Sequence, residues 1–179
     1  MDDIDKCGYR ANVGIVLSNQ ADLVLLGGCR GRKGWQFPQG GIHLDEDIEA
    51  AMYRELREEI GLNANDVEIL GQTSGWISYD LPKKYIRHDT LPLCIGQKQR
   101  WFLLRLLSSE QRVQLDTTGM PEFDRCRWVD YWQPVKEVIY FKRKVYMQAL
   151  LELGPLLFPH GVPPRPSWWG EEWAANLNL

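Results

Sequence analysis

Long apolar runs are missing from this chain of 179 residues. No stretch approaches the ~20 consecutive apolar residues that a membrane-spanning helix requires, so no membrane partner is expected. The opening residues, M-D-D-I-D-K, are acidic and hold no apolar signal core, so no export signal is expected either. Cysteine is sparse: Cys7, Cys29, Cys94 and Cys126 stand apart, without a C-x-x-C pair. That spacing argues against a disulfide framework and suits reduced thiols in the cytosol. Cationic excess is absent as well. A net charge of −3 excludes a general nucleic-acid coat, while allowing a protein that grips one end of a nucleic acid with a few local cations. Internal repeats and a second domain are also absent, and the length fits about one domain with a sizeable core.

What is present is organised around residues 40–62, G-G-I-H-L-D-E-D-I-E-A-A-M-Y-R-E-L-R-E-E-I-G-L. A glycine pair opens the stretch. Gly61 closes it where a helix C-terminus favours a residue free to take positive φ. On a helical wheel of about 100° per residue, Glu58 and Glu59 fall about 60° and about 40° to either side of Glu55. Met52, Tyr53, Leu56 and Ile60 form an apolar arc centred about 110° away. One flank can enter a core while the next presents clustered carboxylates. Such carboxylates repel and raise one another's pKa, and a hard divalent cation relieves the repulsion. A solvated acidic face, helped by Arg54 and Arg57, is the plain alternative.

The remaining chain reads as strands, loops and one late helix. Residues 12–17 and 23–26 are short apolar runs separated by N-Q-A-D, which predicts two buried strands joined by a hairpin or a tight turn. Residues 27–34, rich in glycine and carrying Arg30, Arg32 and Lys33, read as a loop near something negative. Pro38 keeps residues 35–39 extended. Residues 63–66 read as a turn, and residues 67–70, 76–79, 99–107 and 126–129 as strands; the third has the continuous apolar character of a strand buried on both faces. Residues 81–92, with two prolines and Lys83, Lys84 and Arg87, read as a loop or short hairpin holding an isolated His88, and residues 108–122 as a polar, mobile loop. Helical spacing covers 135–153, with a start near Lys142 also consistent with the pattern, and places the basic run Lys142-Arg143-Lys144 near a first turn, which suggests either an anionic ligand or a solvated charge run. Trp35, Phe37, Trp76 and Trp101 are assigned to the core. From Gly154, five prolines should break regular structure, while Trp168, Trp169 and Trp173 suit docking on the body or on a partner. The division is therefore a domain over 1–153 and a Pro/Trp-rich tail over 154–179.

The spacing of residues 40–62 is also that of a known signature. Gly40, five residues, Glu46, seven residues, Arg54-Glu55-Leu56, one residue, Glu58-Glu59, one residue and Gly61-Leu62 resembles the Nudix box, with every fixed position filled. The likeness extends to residues 8–14, 35–41, 94–102, 121–124 and 141–143, which look like the bacterial RNA pyrophosphohydrolases, a group that has also been classed with dinucleoside polyphosphate hydrolases. It runs from about residue 8 to about residue 150.

That resemblance implies an α/β Nudix fold, a mixed sheet sandwiched between helices. It implies a cytoplasmic Mg²⁺-dependent hydrolase, with Mn²⁺ or another divalent cation able to substitute, that removes pyrophosphate from 5′-triphosphorylated RNA. Hydrolysis of a dinucleoside polyphosphate such as diadenosine tetraphosphate is the alternative. It implies Glu55, Glu58, Glu59 and Glu122 as metal ligands, Arg10, Gln39 and Lys142 near phosphates, and Phe141 near a base. The proton acceptor is Glu122 or one of Glu58 and Glu59. The chain departs from close relatives at Cys29, where they carry an arginine facing the RNA; Arg30 and Arg32 are the neighbouring substitutes. Glu46 is assigned a structural role near the helix start rather than metal ligation. Arg54 either steers Glu58 or forms an ordinary i,i+4 surface pair. A protein partner or self-association through the tail is an additional expectation.

Overall fold

The computed structural model describes residues 2–171. Eight strands form one mixed sheet: β1 (Tyr9–Ser18), β2 (Val24–Cys29), β3 (Trp35–Gln36), β4 (Gln39–Gly41), β5 (Val67–Gln72), β6 (Ile77–Asp80), β7 (Gly96–Leu106) and β8 (Phe123–Val129). The path runs β3-β2-β1-β7-β5, with β4 paired to β1, β6 to β7 and β8 to β2. The central β1–β7 pair is parallel over its whole length, and the other pairings are antiparallel. Among the described residues, the sheet is covered by three helices: α1 (Ile48–Ile60), α2 (Gln133–Glu137) and α3 (Arg143–Leu157).

Alternation along the central strands sends side chains to two cores. Val13, Ile15 and Leu17 of β1 and Phe102, Leu104 and Leu106 of β7 meet Met52, Leu56 and Ile60 of α1 on one face. Val16, Trp101 and Leu103 meet Phe37, Val145, Tyr146, Leu150 and Leu153 on the other. This is the expected mixed sheet between helices, and the double burial explains the continuous apolar runs. Gly14 sits between the layers because the Trp101 ring occupies the place of a side chain there.

Several local expectations change. Gly27 and Gly28 belong to β2 rather than to the following loop, since the Phe123 ring and the Arg125 side chain of β8 lie directly over their Cα atoms. β8 begins three residues earlier than its apolar run, because its outer face is polar. The late helical stretch is broken: α2 ends at Glu137, a 3₁₀ turn covers Tyr140–Lys142, and α3 follows. Pro155 lies inside α3 rather than ending it. It forfeits one N–H near the last turn, where the helix stops two residues later in any case. Trp76 is 42% exposed, with the Lys98 ammonium 5.2 Å from its ring. Trp35 is half-buried beneath the guanidinium groups of Arg125 and Arg127. Phe37 and Trp101 are in the core as expected.

The described part of the tail packs on the domain. The Trp132 indole N–H donates to the Pro163 carbonyl at 2.8 Å, and Trp169, 7% exposed, meets the Trp132 ring edge-on at 5.2 Å. Trp173 lies outside the described residues. Among the described residues, no helix is long and apolar enough to cross a membrane.

Candidate active site

The box helix is fixed at both ends. The Asp47 carboxylate accepts from the N–H groups of Glu49 and Ala50 at 3.0 and 3.1 Å, an N-cap that an Asp ahead of an apolar-periodic run signals. Gly61 takes φ 70° and returns its N–H to the Arg57 carbonyl. The polar loop after β7 secures the same end: Gln114 N–H donates to the Ile60 carbonyl at 2.9 Å, and the Thr117 hydroxyl donates to the Glu58 carbonyl at 2.9 Å. The helix is thereby held against β4 and β1.

The carboxylates have unequal environments. Glu55 and Glu59, one turn apart, are 7% and 9% exposed, whereas the Glu58 side chain remains 43% exposed. Glu55 lies over Gly40, where its carboxylate fills the space of a Cβ. On the opposite face of β4 the Arg10 guanidinium does the same at Gly41. The glycine pair thus admits an acid on one side of a strand and a cation on the other. Glu59 accepts from the Gln39 N–H at 2.9 Å. Burial pushes the Glu59 carboxyl well above the usual range; the Gln39 bond opposes this, while Glu55 and Glu122 add to it. Burial also raises Glu55, against the pull of Arg54 and with a further push from Glu58 and Glu46.

Arg54 organises the rim differently from expectation. Its closest partners are Glu46, at 2.8 and 2.9 Å, Glu55 and the Gly41 carbonyl at 2.7 Å; Glu58 is more distant at 3.5 Å. Arg54 holds the Glu46 carboxyl down at about 2. Glu46 also accepts from the His43 N–H, so it braces the approach to α1.

Beyond the carboxylates stands a buried polar row. Lys142, 9% exposed at the start of α3, directs Nζ to Gln39 Oε1 at 3.3 Å. Gln99 Nε2 reaches the same oxygen at 3.4 Å and Asn12 Oδ1 at 2.7 Å. Burial lowers Lys142 to about 8; Arg32 lowers it further, while Cys29, Glu122 and Glu59 oppose the fall. Glu122, just before β8, is exposed and pairs with Arg32 at 3.3 Å. Tyr146, fully buried, accepts the Phe37 N–H at 2.9 Å and so fixes the segment leading to Gln39. Neither Asn12, Gln99 nor Tyr146 carried a signal in sequence, because each acquires its role through a partner dozens of residues away.

Phe141, Lys142, Cys29, Arg32 and Tyr79 line a cavity of about 390 Å³ beside this row. Arg10 instead pairs with Asp2 at 3.1 Å and lines a second cavity of about 440 Å³. The structure therefore gathers Glu55, Glu58, Glu59, Glu122, Gln39 and Lys142, places Phe141 alongside, and sets Arg10 across β4.

Among the described residues, no three acidic, histidine or cysteine side chains are already grouped closely enough to hold a metal ion. Glu55 is turned to Arg54, and Glu122 to Arg32. The donor chemistry nevertheless fits a hard divalent cation: four carboxylates, with Glu55 and Glu59 buried and their carboxyls raised chiefly by that burial.

The NUDIX domain matches residues 8–149. The chain belongs to the Nudix family. This Nudix chain is 56% identical over 163 residues to the RNA pyrophosphohydrolase of Alkalilimnicola ehrlichii, covering 91% of this chain and 90% of the relative. Those of Legionella pneumophila (strain Corby) and Pseudomonas putida (strain F1) are each 58% identical over 154 residues, or 86% of this chain and 88% and 97% of theirs. The first match spans enough of the chain to reach beyond Gly154, farther than the expected limit near residue 150. In fold, the E. coli dihydroneopterin triphosphate pyrophosphohydrolase superposes with a TM-score of 0.63 at 19% identity, covering 79% of this chain and 94% of that one. A C. elegans Ap4A hydrolase gives 0.55 at 18%, covering 76% and 93%. Nudix hydrolases generally use divalent cations.

Proposed function

We propose that this Nudix enzyme removes pyrophosphate from the 5′-triphosphate end of RNA, leaving a 5′-monophosphate, with Mg²⁺ as its cation. The carrying observation is the likeness to RNA pyrophosphohydrolases at 56–58% identity over nearly the full length of both chains. The carboxylate cluster facing the Gln39–Lys142 row supports it.

Glu55, Glu58, Glu59 and Glu122 would hold the cation. When bound, it neutralises phosphate oxygens and makes a bound water more acidic. The chain's own groups supply the rest. Lys142 Nζ, already beside Gln39, pairs with a phosphate oxygen, and Arg10 reaches another from across β4. Water adds across the phosphoanhydride: one P–O bond forms, the bridging P–O bond breaks, and a carboxylate takes the water's proton. Glu58 and Glu122 are exposed enough to exchange that proton with solvent, whereas Glu59 is buried against the Gln39 N–H. Phe141 offers a ring to a base. With its 6%-exposed thiol, Cys29 brings no cation to the cavity, leaving Arg32 as the nearby guanidinium.

The test is a comparison of kcat/KM on 5′-triphosphate RNA and diadenosine tetraphosphate at fixed Mg²⁺. A 5′-monophosphate end and a preference for RNA are expected. A preference for the dinucleotide would favour the alternative, and no release of phosphate or pyrophosphate from RNA would overturn the proposal. A cytoplasmic location goes with this substrate. Self-association through the tail is a separate reading, tested by sedimentation of the full chain: a monomer argues against it.

A further inference from the structure

The ground outside the Lys142 cavity differs in character from the rest of this acidic chain. Residues 81–93 carry Lys83, Lys84 and Arg87 against a single acid, Asp89. All three cations are exposed, and among the described residues none is ion-paired to an acidic side chain. Unpaired basic residues in a chain of net charge −3 concentrate positive potential at one place.

Aromatic rings connect that place to the site. Lys142 Nζ lies 5.8 Å from the Tyr79 ring; Tyr79 and Phe141 are 5.9 Å apart; Phe141 and Tyr85 are 5.5 Å apart; and Lys84 Nζ lies 5.0 Å from Tyr85. The row runs from a buried cation through three rings to an exposed cation. Tyr85 is 44% exposed, so its ring is presented to solvent at the outer end. Tyr85, Leu81 and Gln97 form the wall shared by the two cavities. Cations that follow a backbone, interleaved with rings that stack bases, are the chemistry that holds single-stranded nucleic acid without reading its sequence.

We propose that the 3₁₀ turn Lys83–Tyr85, together with Arg87, forms a track for the RNA strand downstream of its 5′ end. Tyr85 stacks a base beyond the one at Phe141, and Lys83, Lys84 and Arg87 pair with the following phosphates. This rests on the RNA reading above and adds a second binding region to it. A strand leaving the cavity has the Glu122 carboxylate on the metal side, with Arg32 and Lys33 at the rim, and the exposed cations and ring of the turn on the other, so charge and stacking together favour the path along the turn.

The test measures binding apart from hydrolysis. A 3′-fluorescein octanucleotide with a 5′-monophosphate and the matching dinucleotide are titrated into the full chain by anisotropy over a range of KCl. The octanucleotide should bind more tightly to the unaltered protein. The triple variant K83Q/K84Q/R87Q should lose that advantage and flatten the slope of log Kd against log salt by about 2, at about 0.7 per single-strand phosphate. Tyr85→Ala should weaken octanucleotide binding roughly 5- to 100-fold, and Tyr85→Phe should retain it. Dinucleotide affinity and the turnover of diadenosine tetraphosphate should not change in the triple variant, and circular dichroism with thermal unfolding reports that all three variants are folded. Equal affinity for long and short RNA, or an unchanged salt slope in the triple variant, overturns the track. Hydrolysis fails independently: if the track binds RNA but no 5′-triphosphate RNA is cleaved, the functional reading falls and the track stands.

Discussion

Replacing Gly40 by alanine should disable the enzyme through a single displaced carboxylate. Gly40 pairs with Val13 in the sheet and does not need positive φ, so the backbone itself accepts alanine. The obstacle is Glu55. A methyl group at Gly40 would fall at about half the ~3.5–4.0 Å separation normal for carbon atoms from the Glu55 carboxyl carbon. The carboxylate must retreat by about 1.5 Å or more to restore that spacing. A misplacement of about 1 Å in a positioned group can cost roughly 100-fold in rate. Overpacking costs about 1–3 kcal/mol, which for a domain of this size lowers Tm by roughly 2–12 °C. Pyrophosphate release at several Mg²⁺ concentrations reads the first effect, and thermal unfolding reads the second. The decisive comparison is the double variant. In a Glu55→Ala background the methyl meets no carboxylate, so the stability cost of Gly40→Ala should largely vanish, a coupling about equal to the cost itself. Wild-type activity in Gly40→Ala, or an undiminished stability cost in the Glu55→Ala background, would refute the assigned contact.

Glu58→Gln and Glu59→Gln should each lower kcat by orders of magnitude while circular dichroism shows an intact fold. Because the folded Glu59 pKa lies above its unfolded value, cation-free stability is fullest below the unfolded pKa and declines as pH rises toward the folded one. Mg²⁺ should therefore raise Tm more at pH 8 than at pH 5, and Glu59→Gln should blunt that difference. Lys142, lowered to about 8, loses its charge as pH rises through that value, so KM for a polyphosphate substrate should climb above pH 8 in the wild type and stay flatter in Lys142→Arg. Tyr146→Phe leaves the buried Phe37 N–H without its partner and should cost about 1–3 kcal/mol in urea denaturation, with kcat falling as Gln39 loosens.

The site was legible in sequence to the extent that it is local. Glu55, Glu58, Glu59 and Gly61 lie within two turns of helix, where periodicity and C-terminal capping chemistry act over short spacings. The sheet was legible as apolar runs, and its double burial followed from their continuity. What escaped depends on contacts distant in the chain. Gly27 and Gly28 look like loop residues until Phe123 and Arg125 are laid across them. Glu46 and Arg54, eight residues apart, pair because the chain turns back before α1. Trp76 has the composition of a core residue and sits outside because it lies just ahead of β6, beside Lys98 of β7. Pro155 carries a breaker's signal, but at a position where α3 has little helix left to break.

The parallel central ladder sets the order in which this molecule can become itself. Asn12 and Gln99, hydrogen-bonded to each other, are 87 residues apart. A nascent chain that has not yet released β7 from the ribosome holds an acidic helix whose apolar flank lacks half its cover. Assembly must therefore wait for that distant segment, and such waiting slows folding and lengthens the interval in which sticky surface is exposed. Any fragment that stops short of β7 forfeits both cores at once, and with them the platform on which its carboxylates stand.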